Sequence, residues 1–72
     1  MSGWLQLDER IRQIALESLT DKQLTAYKLS ANGVREDVIA IYCGVSRRAI
    51  RDRLAEADVK IRSHPDYPKE AA

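Results

Sequence analysis

GVSRRAIRDRL, residues 44–54, places four arginines within seven positions of a chain whose formal net charge is only +1. Its apolar residues decide the fold. Ile50 and Leu54 stand four apart and Ala57 follows three later, the spacing that lines one face of an α-helix. Ser46 is a preferred N-cap, and Gly44 accepts the positive φ that closes a preceding helix. The stretch therefore reads as a tight turn and then a helix from Arg47 to about Ala57, which either runs on or frays near Asp58 and Val59. At about 100° per residue, Arg48, Arg51, Asp52 and Ala55 fall opposite the apolar stripe. Arg47 sits on the exposed first turn and Arg53 nearer the core edge. Two readings compete: a solvated charged face, or a surface for anions, since a helix N-terminus attracts negative charge and a guanidinium grips phosphate or guanine in two-point fashion. Small Ala55 would let such a helix approach its target closely.

Working outward, VREDVIAIYC (residues 34–43) has Glu36 and Asp37 at the positive end of a short helix. Ala40, four before Gly44, gives the small side chain that a steep helix crossing needs, while Val45 plugs the junction and Ile50 anchors the second helix. This is helix-turn-helix spacing. Further upstream, Thr20 and Gln23 form a capping box that opens a helix over Asp21–Ala31, with Leu24, Tyr27 and Ala31 as its buried stripe and Asn32-Gly33 as its stop. Leu7, Ile11, Ile14, Ala15 and Leu19 recur at helical spacing behind Asp8, giving a helix from about Asp8 to Ser18. Trp4 and Leu5 ahead of it read as an extended arm laid on the core. After Arg62 the sequence SHPDYPKEAA holds two prolines and little apolar content, so residues 63–72 are expected to be a disordered tail. The expected fold is all-α: about four helices around one core in residues 1–62, containing a helix-turn-helix.

At 72 residues the chain is one small domain, burying about 60% of its unfolded surface, with no room for a deep active site. Its one cysteine and one histidine exclude an internal disulfide and a histidine–cysteine metal site. The N-terminus carries acids where a signal peptide has an apolar run, and nothing approaches the ~18 apolar residues of a membrane span, so a cytoplasmic location is expected. Cys43 should point inward and His64 should be solvated, which leaves no catalytic set, no cofactor and no small-molecule substrate in view. The charge is uneven: five basic and six acidic residues up to Ser46, six and three over residues 47–62, one and two thereafter. A nearly neutral protein can still present a basic face.

The segment from Leu19 to Ile61 resembles the LuxR/GerE-type helix-turn-helix domain and the related region four of bacterial sigma factors. Leu19-Thr20, Gly33, Ile39-Ala40, Gly44-Val45-Ser46, Ala49-Ile50-Arg51, Leu54 and Lys60-Ile61 stand where that pattern has like residues. The ending EADVKIR is similar to the close of small helix-turn-helix modules in bacterial recombinases and mobile-element proteins. The resemblance implies sequence-specific binding of double-stranded DNA by the helix that starts at Arg47. Carried onto matching positions, it makes Arg47, Arg48 and Arg51 base or backbone readers, sends Arg53 to a phosphate, and lets Lys60 and Arg62 touch the backbone or an adjacent minor groove. Ser46 is then a cap whose backbone meets a phosphate. A small transcriptional regulator in a bacterial or phage-infected cell follows as the leading expectation. An excisionase-like or architectural recombination factor is one alternative, and a protein-interaction module docking on transcription machinery is another.

The chain departs from the pattern twice. Arg35 stands where the family usually has Ser or Thr to cap the scaffold helix, so that end is less well satisfied or its arginine contacts DNA. Val38, Ile41 and Tyr42 add a second apolar stripe to a helix that already buries Ile39, Ala40 and Cys43. That stripe needs a cover. The expected cover is the N-terminal helix with Trp4, Leu5, Ile11 and Ile14 folded back on it; the alternative is a protein interface, in a homodimer or with RNA polymerase or another transcription protein.

Overall fold

The structure, a computed structural model, describes residues 3–69. Five helices follow one another without a strand among the described residues: α1 (Gly3–Gln6), α2 (Glu9–Ser18), α3 (Asp21–Ala31), α4 (Glu36–Cys43) and α5 (Arg47–Arg62). The expected all-α bundle is present, with one helix added at its start. The helix starts are chemically legible. Asp8 accepts from the Arg10 amide at 2.9 Å, and Thr20 and Gln23 exchange both bonds of the capping box at 3.1 and 3.2 Å. Asn32 caps α3 and Gly33 follows at φ 86°.

Residues 4–5 do not form an extended arm. Trp4 lies in α1, a single turn too short to show a period in the sequence, and tertiary contacts hold it in place. The Trp4 amide donates to Asn32 Oδ1 at 2.9 Å. Gly3 approaches the end of α3 so closely that a Cβ would come within 1.8 Å of the Ala31 carbonyl oxygen. The Trp4 ring meets Tyr27 edge-on at 6.2 Å between centroids, and Lys28 Nζ lies 5.1 Å from its centre. Arg12 braces the link to α2 by donating to the Leu5 and Leu7 carbonyls.

Two apolar clusters make the core, and α5 spans both. Ile14, Ala15 and Leu19 of the α2 region meet Ala57 and Ile61, with Trp4, Ile11, Leu24, Tyr27 and Tyr67 packed around them. Ala26, Ile39, Ala40 and Ile50 form the second, flanked by Leu29, Val34, Cys43, Val45 and Leu54. Ile61 continues the Ile50, Leu54, Ala57 stripe by one more turn, and its burial carries α5 beyond Ala57 to Arg62. On α3 the fully buried residue is Ala26, whereas Leu24, Tyr27 and Ala31 are half-buried. This helix is wedged among α1, α4 and α5, so its contacts surround it and no single stripe describes it.

The segment after Arg62 is a second correction. Residues 63–69 fold back over the core: Tyr67 packs against the Ile14–Ile61 cluster and Pro68 is buried. A turn in which the Asp66 amide donates to His64 Nδ1 at 3.0 Å aims it there. His64 is accordingly half-buried, with Nε2 at 4.0 Å from Glu17 Oε1. Proline count and low hydropathy suggested disorder; one aromatic and one proline supply enough apolar surface to dock the described part of the segment. Residues 70–72 of the expected tail lie outside the described residues.

Candidate nucleic-acid interface

The turn between α4 and α5 is built by its backbone. Gly44 takes φ 70° and ψ 33°, a left-handed conformation that costs L-residues energy and glycine little. The Gly44 and Val45 amides close back on the Ile41 and Ala40 carbonyls at 3.2 and 3.0 Å. Ser46 Oγ then accepts from the Ala49 amide at 3.0 Å, starting α5 at once. Ile39, Ala40 and Ile50 lock the two helices against each other in the second cluster. The side chains of α5 are thereby fixed in direction.

Arg47, Arg48, Arg51 and Asp52 share one shallow open surface at the N-terminal half of α5, and all four are exposed. Arg47 and Arg51 also reach back to one carboxylate, Glu36 on the first turn of α4. Arg51 Nη2 lies 3.5 Å from Glu36 Oε1, and Arg47 Nε lies 3.8 Å from the same oxygen. By its local sequence Glu36 is only a helix-end charge. Its pairing with arginines eleven and fifteen positions later depends on how α4 crosses α5, which no local pattern reveals. Among the described residues Arg48 has no carboxylate partner, and its charge faces solvent.

The remaining basic residues of α5 do not join this surface. Arg53 is half-buried and lines a separate groove with Asp21, Lys22, Thr25, Tyr42, Cys43 and Val45. Lys60 donates to Gln23 Oε1 at 2.9 Å. Arg62 bonds Asp58 one turn back at 3.0 Å, and that bond raises its pKa above the ordinary arginine value. Ala55 is exposed beside Gln23, Glu56, Val59 and Lys60. At the start of α4, Arg35 makes no side-chain cap. Its guanidinium instead holds Asp37 at 2.6 and 3.2 Å, which lowers the carboxyl pKa and raises that of the arginine.

Comparison with protein-family models, with curated proteins and with solved structures finds no match. No group of three or more His, Cys, Asp or Glu among the described residues is arranged to hold a metal, and no helix among them is long and apolar enough to cross a membrane. Cys43, expected to be buried, is half-buried at the edge of the second cluster.

The second apolar stripe is uncovered. Val38, Ile41 and Tyr42 are 47%, 81% and 73% exposed. The N-terminal helices, expected to cover it, are engaged elsewhere: α1 docks on α3 and α2 on α5, with Ile11, Ile14 and Trp4 in the first cluster. Leu5 is itself exposed. Trp4, grouped with the stripe on sequence grounds, therefore belongs to the core instead. Its ring is satisfied by Tyr27 and Lys28.

Proposed function

We propose that this protein binds double-stranded DNA through α5, as a small helix-turn-helix transcriptional regulator. One observation carries the reading. Three exposed arginines, Arg47, Arg48 and Arg51, gather at the N-terminal half of a rigidly capped helix that a left-handed turn joins to α4. The helix end supplies its positive pole, and the guanidiniums supply planar forks for phosphate or for guanine in the major groove. The resemblance of residues 19–61 to LuxR/GerE-type domains points the same way. Arg48 is the principal reader in this scheme because no carboxylate competes for it, whereas Arg47 and Arg51 exchange Glu36 for DNA. Lys60 and Arg62 take supporting roles only, after giving up the partners they already have, and half-buried Arg53 takes one from its separate groove.

The test is selection of duplexes from a random pool, followed by fluorescence anisotropy at two salt concentrations. Wild type should bind the selected duplex with steep salt dependence. Arg48→Ala/Arg51→Ala, shown folded by circular dichroism, should lose tenfold or more in affinity, since one two-point base contact accounts for about 1–3 kcal/mol. Selection of no duplex by folded wild type, or full binding by the double variant, overturns the proposal.

A further inference from the structure

Asp52 is an acid in the middle of the arginine surface. It shares that open surface with Arg47, Arg48 and Arg51 and is exposed. Arg48 stands one turn before it and Arg51 beside it, yet among the described residues no group pairs with Asp52. Glu36 is the contrast, a carboxylate taken up by Arg47 and Arg51. We propose that Asp52 reads a cytosine, accepting a hydrogen bond from its N4 amino group in the major groove close to the guanine taken by Arg48. The inference rests on the DNA-binding reading above and adds which base the site demands.

Placement on the helix comes first. Arg48, Asp52 and Ala55 follow one another at i, i+4 and i+7, along the line of α5 opposite Ile50, Ala57 and Ile61, which are buried. Arg47 and Arg51 lie to one side of that line, within reach of Glu36 on α4. In a helix seated in the major groove, such a central line meets base edges and the flanks meet phosphates. Asp52 is thus placed where a carboxylate is tolerated, away from the strands that would repel it. Ala55, exposed one turn on, adds no bulk that would hold it off the bases. The rise from Arg48 to Asp52 is about 6 Å, within two base steps of about 3.4 Å, so the two contacts fall on neighbouring or next-neighbouring base pairs.

The chemistry of the groove selects the base. An ionised carboxylate can only accept hydrogen bonds. Guanine offers the acceptors N7 and O6, and thymine offers O4 and a methyl group. Adenine has the N6 donor, but its N7 acceptor lies beside it and repels an anion. Cytosine alone presents an N4 donor with no acceptor next to it on the same edge. Over any other base Asp52 is pressed into the groove without a donor, which costs more than the bond itself contributes. Glu36 and Asp52 also set two acids among three arginines, so the surface holds phosphates of an arbitrary duplex weakly. Asp52 therefore raises discrimination and lowers affinity for sequences that lack the cytosine.

Selection from a random duplex pool with wild type, Asp52→Ala and Asp52→Asn, each shown folded by circular dichroism, tests this. Wild type should select a cytosine within two base pairs of a guanine, and changing that cytosine to thymine should weaken binding about tenfold or more in anisotropy. Asp52→Ala should select the same duplex with that one position randomised, and should bind the cytosine and thymine duplexes within about twofold of each other. Asp52→Asn should exchange the cytosine for adenine, whose N6 and N7 an amide pairs with in two-point fashion. Retention of the cytosine by Asp52→Ala overturns the proposal and leaves the DNA reading standing. Equal tightening by both variants on every duplex, with base preferences unchanged, also overturns it, because Asp52 is then only a charge that repels phosphate. Selection of no duplex by folded wild type refutes the DNA reading and this proposal with it.

Discussion

Glu36→Gln should tighten DNA binding while weakening the fold, because the carboxylate that competes for two arginines also sits at the positive end of α4. Glu36 Oε1 lies 3.5 Å from Arg51 and 3.8 Å from Arg47. In bulk water those separations correspond to about 1.2 and 1.1 kcal/mol of Coulomb attraction. The two arginine side chains are 65% and 63% exposed, and measured exposed pairs keep only about 0.2–1 kcal/mol. Together they hold about 1 kcal/mol in the free protein. DNA phosphates must compete with that hold, so removing the charge should raise affinity about fivefold at 0.1 M salt, the gain shrinking as salt rises. The same substitution removes an acid from the first turn of α4, an interaction of about 0.3–1 kcal/mol, so the urea midpoint should fall. Anisotropy titration of the selected duplex reads the first effect and circular dichroism in urea the second. Unchanged or weaker binding by a folded Glu36→Gln protein would refute the claim that Arg47 and Arg51 turn to phosphate.

The salt dependence of wild-type binding should report the number of engaged arginines: a slope of log K against log salt of about −2.7 per copy for three phosphates, against about −5.4 if all six basic residues of α5 took part. Gly44→Ala should cost about 1–2 kcal/mol in urea unfolding through backbone conformation alone, because φ is +70° there and an added Cβ meets nothing within 4 Å; Gly44→Asn should cost less. Tyr67→Ala should cost about 1–2 kcal/mol despite its place beyond the last helix, because its ring is half-buried on the first cluster, and no change in the urea midpoint would show that the segment is not docked. Burial, and then the charges of Asp58 and Tyr67, raise the pKa of Tyr27 above 10.0. The stabilisation from its neutral ring is complete below that value and is lost as pH climbs through the raised one. Alkaline unfolding should accordingly shift upward in Tyr27→Phe.

What was legible in the sequence was whatever a local rule controls. Asp8, Thr20 with Gln23, Gly44 and Ser46 each satisfy backbone groups within a few residues of themselves, so their roles could be read before any tertiary contact was known. The Ile50, Leu54, Ala57 stripe was legible for the same reason. Features set by distant neighbours were not. The four-residue α1 depends on Asn32 and Ala31, Ala26 is buried because three helices converge on α3, and the chain after Arg62 is held by a cluster assembled from α2 and α5. A small residue such as Ala26 carries little hydropathy, and its burial reports how closely helices approach. The periodic pattern cannot report that.

The same distinction explains why six basic residues on one helix do not make one basic face. α5 must keep Ile50, Ala57 and Ile61 on the core side along its whole length, so each basic side chain points where the helical rotation leaves it. Around the N-terminal half, α4 is the near neighbour and contributes one carboxylate, Glu36, leaving Arg47, Arg48 and Arg51 together on an open surface. Farther along, the flank of α5 meets the capping box of α3, where Gln23 takes Lys60, and Asp58 one turn back takes Arg62. A charge count over residues 47–62 treats these as equivalent. The packing does not, because a side chain already holding a hydrogen bond must give it up before it can neutralise a phosphate. The usable positive charge is therefore concentrated at the capped end of α5, where the helix dipole adds to it. That end also lies nearest the turn that fixes its direction, which is why the proposed DNA-binding role is assigned to it and not to the helix as a whole.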